Sequence, residues 1–121
     1  MGRKTYEDHK SLLPGRLNIV ISTRHDYEVA DGVELVHSLY DACELAKQKN
    51  DDFFIIGGVG LFIAALPNAH TVYETVIDAH INGDTVLPEF EFDNWDTELL
   101  QDHSIDEHHE FSFRIYRHER R

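Results

Sequence analysis

The stretch F-F-I-I-G-G-V-G-L-F, residues 53–62, decides the fold class of this 121-residue chain. Its first four residues form a fully apolar run of strand length, which predicts a strand buried on both faces of a sheet. Two glycines follow, and the apolar helical stretch 59–66 then ends at Pro67. A buried strand that turns through glycines into a helix indicates an α/β protein.

The segments on either side continue the alternation of strands and helices. Short β-branched or alternating runs predict strands at 18–23, 71–78, 97–101 and 111–117. The stretch 38–49 predicts the clearest helix, because Ser38 suits the N-cap and Asp41 suits the first turn. Its apolar face includes Cys43, which we therefore expect to pack in the core. The order of elements predicts a single α/β domain over residues 1–121, with a mainly parallel sheet flanked by helices.

In open parallel sheets, ligands bind beyond the carboxyl ends of the strands. Two segments are therefore expected at the site: Ser22-Thr23-Arg24 and the glycine-rich turn 57–60. Glycines let a ligand approach the backbone, a helix N-terminus offers N–H groups to phosphate, and arginine suits bidentate phosphate recognition. Taken alone, a tight strand-to-helix turn explains the glycine pattern equally well, and a solvated loop explains Ser22-Thr23-Arg24 better.

The charge of the chain limits the kinds of molecule that it can bind. The net charge is −12, and 14 Asp or Glu but no Lys or Arg lie between residues 50 and 113. So acidic a surface repels nucleic acid and anionic lipid, and no apolar run is long enough to span a membrane. The basic N-terminal stretch could supply a countercharge for an anionic small molecule, or it could simply be solvated. A single cysteine and the absence of a signal-peptide pattern predict a cytoplasmic protein.

Five blocks of the sequence resemble dihydrofolate reductases, in the same order and with matching spacing. They are G-R-K-T-Y-E (2–7), L-P-G-R-L-N-I-V-I-S-T (13–23), I-I-G-G-V-G-L-F (55–62), A-L-P-N-A-H-T-V-Y-E-T-V-I-D (65–78) and N-G-D-T-V-L-P-E-F (82–90). Trp95 and the C-terminal F-S-F-R-I-Y-R-H-E-R-R continue the match. The resemblance implies that family's mainly parallel central sheet flanked by helices, with an antiparallel C-terminal strand. It also implies NADPH-dependent reduction of 7,8-dihydrofolate to tetrahydrofolate in folate and one-carbon metabolism, with dihydrofolate or an antifolate as the ligand.

The resemblance assigns NADPH-binding positions. The adenosine side of the cofactor would be held by Arg3, Lys4, Thr5, Ser22, Thr23 and Arg24. Thr23 and Arg24 would lie nearest the 2′-phosphate. The family's diglycine, which has a cis peptide between its two residues, matches Gly57 and Gly58, and the cofactor segment continues through Val59, Gly60, Leu61 and Phe62. Gly60 stands where some members place a phosphate-binding arginine, so cofactor affinity would depend more on Arg3 and Arg24.

The resemblance likewise assigns substrate positions. Arg16 matches the arginine that clamps the glutamate carboxylate of folate, and Leu13 would touch the aminobenzoyl group. Ile56 and Phe62 would line the nicotinamide and pterin pocket. Two further positions are implied: Thr75 would hydrogen-bond the pterin end in support of catalysis, and the acidic loop residue Asp84 would steady the family's mobile loop.

The match also implies a gap. Met1 aligns with an internal position of the family, so its first strand, its mobile loop and the helix with the catalytic acid have no counterpart, and no catalytic acid is assigned. We therefore expect an N-terminally truncated reductase with little activity, in which a second chain or fragment could supply the central strand. The alternatives are a related pteridine or pyrimidine reductase on the same fold, and a non-catalytic nucleotide-binding or fragment-complementation module.

A group of histidines near the C-terminus raises the question of a metal site. His103, Asp106, His108 and His109 lie in a predicted loop with no cysteine and no recognised ligand spacing. We interpret them as solvated, and no metal is predicted.

Overall fold

The computed structural model describes residues 1–8, 13–49, 52–79 and 87–121. The chain divides into two compact units, Met1–Pro67 and Asn68–Arg121. The expectation of a single domain stays a prediction. Within the described ranges, no helix is long and apolar enough to cross a membrane.

The first unit combines three helices with a parallel pair of strands. Its elements are α1 (Arg3–Asp8), β1 (Asn18–Ile21), β2 (Val33–Val36), α2 (Leu39–Lys49) and α3 (Val59–Ala65), with a 3-10 turn at Leu66–Asn68. β1 and β2 pair in parallel, with Asn18 opposite Val33 and Ile21 opposite Val36. Their carboxyl ends therefore meet at one edge.

An aliphatic cluster forms the core of this unit. Val20 is fully buried, and Val33, Ala42 and Ala46 are nearly so. α2 packs against β1 and β2 because its small residues face the sheet. The predicted N-cap is confirmed: the Asp41 amide donates to Ser38 Oγ at 3.0 Å. Cys43 on the same helix is half-buried.

The prediction of a strand buried on both faces at 53–56 is wrong for this structure. The segment belongs to no strand, and Phe54 is 72% exposed while Phe53 and Ile56 are 39% and 38% exposed. Burial on both faces needs a hydrogen-bonded neighbour on each side, and none of the described strands pairs with this segment. The helix that follows the glycines is present as Val59–Ala65.

The second unit is an antiparallel sheet of three strands. β3 (Thr71–Ile77), β4 (Trp95–His103) and β5 (Phe113–Arg120) are ordered β3-β5-β4. β5 pairs antiparallel with both neighbours, and the β4 ladder is interrupted by a bulge between Leu99 and Gln101. The three strands predicted for this part of the chain are therefore present, with shifted ends. The expected α/β fold with an antiparallel C-terminal strand is confirmed.

The second unit is organised around a buried histidine. His118 is 4% exposed and its ring stacks on Phe92 with the centroids 3.7 Å apart. Its Nδ1 lies 2.8 Å from Thr97 Oγ1 and its Nε2 lies 3.0 Å from Glu74 Oε1, so both ring nitrogens have partners. Trp95, which is 8% exposed, contacts Phe92 edge-on.

Candidate cofactor site

The backbone of Gly2 joins the three segments that were predicted to bind the cofactor. Its amide donates to the Gly57 carbonyl at 2.9 Å, and the same residue forms a parallel bridge with Ile21 at the end of β1. Three segments are therefore brought together: the residues after Gly2, the residues after Ile21 and the diglycine turn. Eight of the predicted contacts lie in these segments: Arg3, Lys4, Thr5, Ser22, Thr23, Arg24, Gly57 and Gly58.

The diglycine turn is crowded on the side that faces α1. Gly57 has φ +144°, and a Cβ added there would lie 2.8 Å from Thr5 Oγ1 and 3.3 Å from Thr5 Cγ2. The peptide between Gly57 and Gly58 is cis, which confirms the implied feature. Gly58 precedes α3, and its carbonyl accepts the Phe62 amide at 3.0 Å. The position of Gly57 therefore requires glycine for two reasons, conformation and contact.

The remaining predicted positions of this segment lie on α3. Val59, Leu61 and Phe62 are half-buried, whereas Gly60 is exposed. A Cβ added at Gly60 would meet no atom within 4 Å. The crowding is thus confined to the first glycine of the turn.

The carboxyl edge of β1 and β2 fixes the loop with Thr23 and Arg24. Ser22 is buried, its amide donates to the Val36 carbonyl at 3.0 Å, and its Oγ accepts the Arg24 amide at 3.2 Å. Its carbonyl lies 2.7 Å from Nδ1 of His37, the residue that follows β2. Thr23 and Arg24 are exposed beyond this anchor. The loop therefore presents a hydroxyl and a guanidinium from a fixed base.

Arg3 is engaged by a neighbouring acid. Its Nη1 lies 3.1 Å and 3.2 Å from the two Glu7 carboxylate oxygens, and the Tyr27 hydroxyl donates to Glu7 Oε1 at 3.0 Å. The Tyr27 hydrogen bond, followed by that of Arg3, holds the pKa of Glu7 below its ordinary value. Desolvation and then the Glu7 carboxylate raise the pKa of Tyr27. An anion at Arg3 would therefore compete with a carboxylate that is already ionised.

Three other basic side chains of this unit are more available to an incoming anion than Arg3. Lys4, Arg16 and Arg24 make no salt bridge to any carboxylate within the described ranges, and all three are exposed. Arg24 still lies close enough to Glu7 to lower the pKa of that carboxyl. Of the two arginines predicted near the cofactor phosphates, Arg24 is therefore the more available for an incoming anion.

The turn before β1 carries two predicted substrate contacts. The side chain of Asn18, 5% exposed, accepts the Leu13 amide at 3.1 Å and donates to the carbonyls of Leu13 and Arg16 at 3.0 Å each. Arg16 Nε donates to the Pro14 carbonyl at 3.0 Å, which leaves the terminal nitrogens of the guanidinium facing solvent. The backbone that carries both residues is thus held firmly, while the charged group stays accessible.

Four other predictions have different outcomes. Ile56 directly precedes the diglycine turn and Phe62 lies on α3, and their roles in lining a pocket stay predictions. Thr75 lies exposed on β3 in the second unit, opposite Ile115. Asp84 lies outside the described residues. The roles of Thr75 and Asp84 stay predictions.

Three residues beside the site were missed from the sequence. Glu7 lies four residues after Arg3, a spacing that pairs charges on a helix, so the sequence did contain a signal for that contact. Tyr27 is 20 residues from Glu7, and no local pattern links them. His37 would have been identified had 33–36 been recognised as a strand parallel to β1, because it follows that strand directly.

Comparisons with known proteins agree with this geometry. The dihydrofolate reductase family matches residues 1–120. The dihydrofolate reductase of Enterococcus faecium is 38% identical over 104 residues, which are 85% of this chain and 61% of that protein. Dihydrofolate reductase type 3 of Salmonella typhimurium is 38% identical over 112 residues, 93% of this chain and 68% of that protein. The chain thus spans about three fifths of the length of the Enterococcus faecium protein.

A solved structure extends the agreement to three dimensions. Dihydrofolate reductase from Enterococcus faecalis, complexed with NADP(H) and RAB-propyl, matches with a TM-score of 0.82 and 28% sequence identity. The match covers 98% of this chain and 71% of that one.

Proposed function

Because this chain belongs to the dihydrofolate reductase family, we propose that it binds NADPH and serves the reduction of 7,8-dihydrofolate to tetrahydrofolate. One observation carries the proposal: the backbone of Gly2 joins the diglycine turn to the loop that bears Thr23 and Arg24. Binding of NADP(H) by the Enterococcus faecalis relative supports the choice of cofactor. A cytoplasmic location is part of the same proposal.

The loop after β1 would select NADPH over NADH. The two cofactors differ by the 2′-phosphate, which Arg24 can bind with charge-assisted hydrogen bonds and Thr23 with its hydroxyl. Ser22 Oγ accepts the Arg24 amide, so the backbone at Arg24 is ordered before the ligand arrives. Pre-ordering lowers the entropic cost of binding.

The diglycine turn would accept the other end of the cofactor. Because Gly57 and Gly58 lack side chains, a flat group can approach their backbone closely. Ile56 and Phe62 would supply apolar surface that excludes water from the reacting atoms. NADPH, when bound, would supply the hydride, and the protein would contribute position and environment.

The turn 13–18 would bind the folate tail. A guanidinium forms two parallel hydrogen bonds with a carboxylate, and Arg16 is the exposed arginine of this turn. Its terminal nitrogens have no carboxylate partner among the described residues. Leu13 on the same rigid turn would contact the apolar part of the tail.

We further propose that the 121 residues by themselves turn over slowly. The resemblance places the family's catalytic acid on no residue of this chain. The segment 53–56 also lacks a strand partner within the described ranges, which leaves backbone groups beside the site unpaired. Both observations favour a chain whose cofactor contacts are better formed than its reaction centre.

The first experiment measures thermal unfolding with NADPH and with NADH. At 100 times its dissociation constant, a ligand adds about 2.7 kcal/mol, which moves the midpoint by several degrees. We expect a larger shift with NADPH than with NADH. Arg24→Gln should weaken NADPH binding by about tenfold to a hundredfold, the loss of a charge-assisted contact, and leave NADH almost unaffected.

Arg16→Gln is the matched control, since it removes another exposed, unpaired arginine from the same unit. It should leave the NADPH shift intact and weaken binding of an antifolate or folate. A cooperative transition that neither cofactor moves would contradict the proposal, as would equal sensitivity of NADPH and NADH binding to Arg24→Gln.

Turnover distinguishes the reductase from the alternatives. NADPH consumption with dihydrofolate would be followed for this chain, and again after addition of the N-terminal segment of the Enterococcus faecium relative. We expect slow turnover alone and faster turnover with the segment. Cofactor binding without turnover in both cases would favour a non-catalytic module, and turnover of another pteridine or of a pyrimidine would favour a related reductase.

A further inference from the structure

The loop that joins β4 to β5 gathers three potential metal ligands. His103 is the last residue of β4, and Asp106 and His109 follow at intervals of three. One ligand atom from each lies within 4.8 Å of the other two. Asp106 is the centre of the group: its Oδ2 is 3.4 Å from His103 Nε2, and its Oδ1 is 2.9 Å from His109 Nδ1.

This donor set suits a divalent transition metal. Two imidazoles and a carboxylate are ligands that Zn²⁺ accepts at bond lengths of about 2.0–2.2 Å. Two ligands of a tetrahedron with such bonds lie about 3.3–3.5 Å apart. The distance between His103 Nε2 and Asp106 Oδ2 already has that value, whereas His109 Nδ1 lies 2.9 Å from the other carboxylate oxygen, Oδ1, and would move away from it on binding.

The ring of His103 is oriented for this role by its other nitrogen. Nδ1 lies 2.8 Å from the Ser104 carbonyl, and Nε2 lies on the side of Asp106. A metal-binding histidine commonly donates its second N–H to such a carbonyl. The ring also stacks on Phe113, with the centroids 4.8 Å apart and the planes 13° apart.

Asp106 is fixed by the backbone of its own turn. Its Oδ1 accepts the amides of His108 and His109 at 2.8 Å each, and its amide donates to the His109 carbonyl at 3.2 Å. These bonds place His109 beside Asp106 before any ion binds, and they leave Oδ2 directed towards His103. The three ligands are therefore held on one short, hydrogen-bonded loop.

The surroundings favour a cation. The stretch 50–113 has 14 acidic residues and no Lys or Arg. Asp106 and His109 are exposed, so water can reach the group to complete the coordination. The sequence places these three residues in one predicted loop with no recognised ligand spacing, and they converge only because the loop closes between the paired residues His103 and Phe113.

We propose that His103, Asp106 and His109 bind one Zn²⁺ ion, or a transition metal of the same ligand preference, at the β4–β5 loop. This site shares no residue with the predicted cofactor and substrate positions, so its test and that of the reductase proposal fail independently. When bound, the ion would stabilise the β4–β5 loop, because it would bind only the folded form.

The experiment is a competition titration of Zn²⁺ against a chromophoric chelator. The full chain should bind one Zn²⁺ at this loop, and Mg²⁺ should not compete, because it prefers oxygen ligands. Asp106→Asn keeps an oxygen acceptor for the two backbone amides but removes the charge. His103→Phe keeps a ring on Phe113 but removes the ligand. Each substitution should lower the affinity for Zn²⁺ by more than about 100-fold. Loss of a residue that only hydrogen-bonds a metal ligand would lower it by about 10- to 100-fold.

His108→Ala is the matched control, since it removes the adjacent, exposed histidine whose side chain is outside the cluster. Its Zn²⁺ affinity should equal that of the parent chain. Absence of saturable Zn²⁺ binding overturns the proposal. So does equal Zn²⁺ affinity in the parent chain, Asp106→Asn, His103→Phe and His108→Ala, because the ion would then be bound by other histidines.

Discussion

The two units are stabilised in different ways. In Met1–Pro67, segments far apart in sequence are joined by backbone hydrogen bonds, as where Gly2 reaches Gly57, and the core is aliphatic. In Asn68–Arg121, β5 pairs with both β3 and β4 in long antiparallel ladders, and the buried centre is His118 with its aromatic neighbours. The first unit depends on close approach of backbone, the second on the contacts of a few side chains.

This difference bears on where each unit tolerates change. At Gly57 an added methyl group would press on Thr5, so it can displace the segments that build the candidate cofactor site. An antiparallel ladder keeps its backbone bonds when a side chain changes, so the loss is confined to that side chain's contacts. Both units have few fully buried residues, and stability in such small cores is sensitive to single substitutions.

Gly57→Ala should have the largest effect. The new Cβ would meet Thr5 Oγ1 at 2.8 Å in a backbone conformation, φ +144°, that disfavours a side chain. We expect a loss of about 3 kcal/mol in the free energy of unfolding, near the upper end for strained backbone positions. The far-UV helix signal reports this unit, since α1, α2 and α3 all lie in it. The NADPH-induced shift should disappear as well.

Gly60→Ala, three residues further along the chain, is the control for Gly57→Ala. A Cβ there meets nothing within 4 Å, and the position lies inside α3, so alanine should stabilise the protein by about 0.5–1 kcal/mol. Equal effects of the two substitutions would show that backbone crowding at Gly57 does not organise the first unit.

Much of the fold was predictable because its signals are local. The N-cap of α2, its small apolar face and the strands of the second unit follow from residue order alone. β2 and α1 were not predicted: V-E-L-V is a strand of only four residues, and R-K-T-Y-E-D has no apolar periodicity. The segment 53–56 was predicted wrongly because hydrophobicity reports what could be buried, whereas burial depends on a partner strand.

His118 provides the next test, on the second unit. His118→Leu would lose the stack on Phe92 and the hydrogen bonds to Thr97 and Glu74, and should cost about 2 kcal/mol. His118→Phe keeps a ring against Phe92 and should cost about half as much. Fluorescence of Trp95, the single tryptophan, follows this unit.

An exposed histidine supplies the comparison for these variants. His108→Leu should change stability by no more than about 0.5 kcal/mol, the usual range for a surface position. If His118→Phe were as destabilising as His118→Leu, the hydrogen bonds of His118 and not its aromatic stack would stabilise the centre of the sheet. The second unit would then depend, like the first, on hydrogen bonds.

The site was predictable in part, and only through ordered motifs. Ser22 and Arg24 could be placed at the carboxyl edge of β1 from the sequence, whereas the diglycine follows a segment that forms no strand. The hydrogen bond from Gly2 to Gly57 could not, because two glycines 55 positions apart leave no pattern. The same holds for Tyr27, whose hydroxyl reaches Glu7 from another segment.

Glu7 should give the smallest effect, because the group is exposed and its contacts are screened by solvent. Tyr27 first and Arg3 second lower the pKa of Glu7 from its ordinary value of 4.5. A carboxyl whose pKa is lower in the folded state stabilises that state above the unfolded pKa, and the contribution is lost as pH falls through the folded pKa. Glu7→Gln should therefore lower the unfolding midpoint slightly near neutral pH and leave it unchanged in acid.

Tyr27→Phe tests the cause of that shift. Removing the hydroxyl should move the pKa of Glu7 back towards its ordinary value in an NMR titration of the side-chain carboxyl, while leaving the Arg3 contact in place. An unmoved Glu7 pKa would assign the shift to Arg3, with a smaller contribution from Arg24. In that case the Glu7 carboxylate would compete with a cofactor phosphate for Arg3. Glu7→Gln should then tighten NADPH binding.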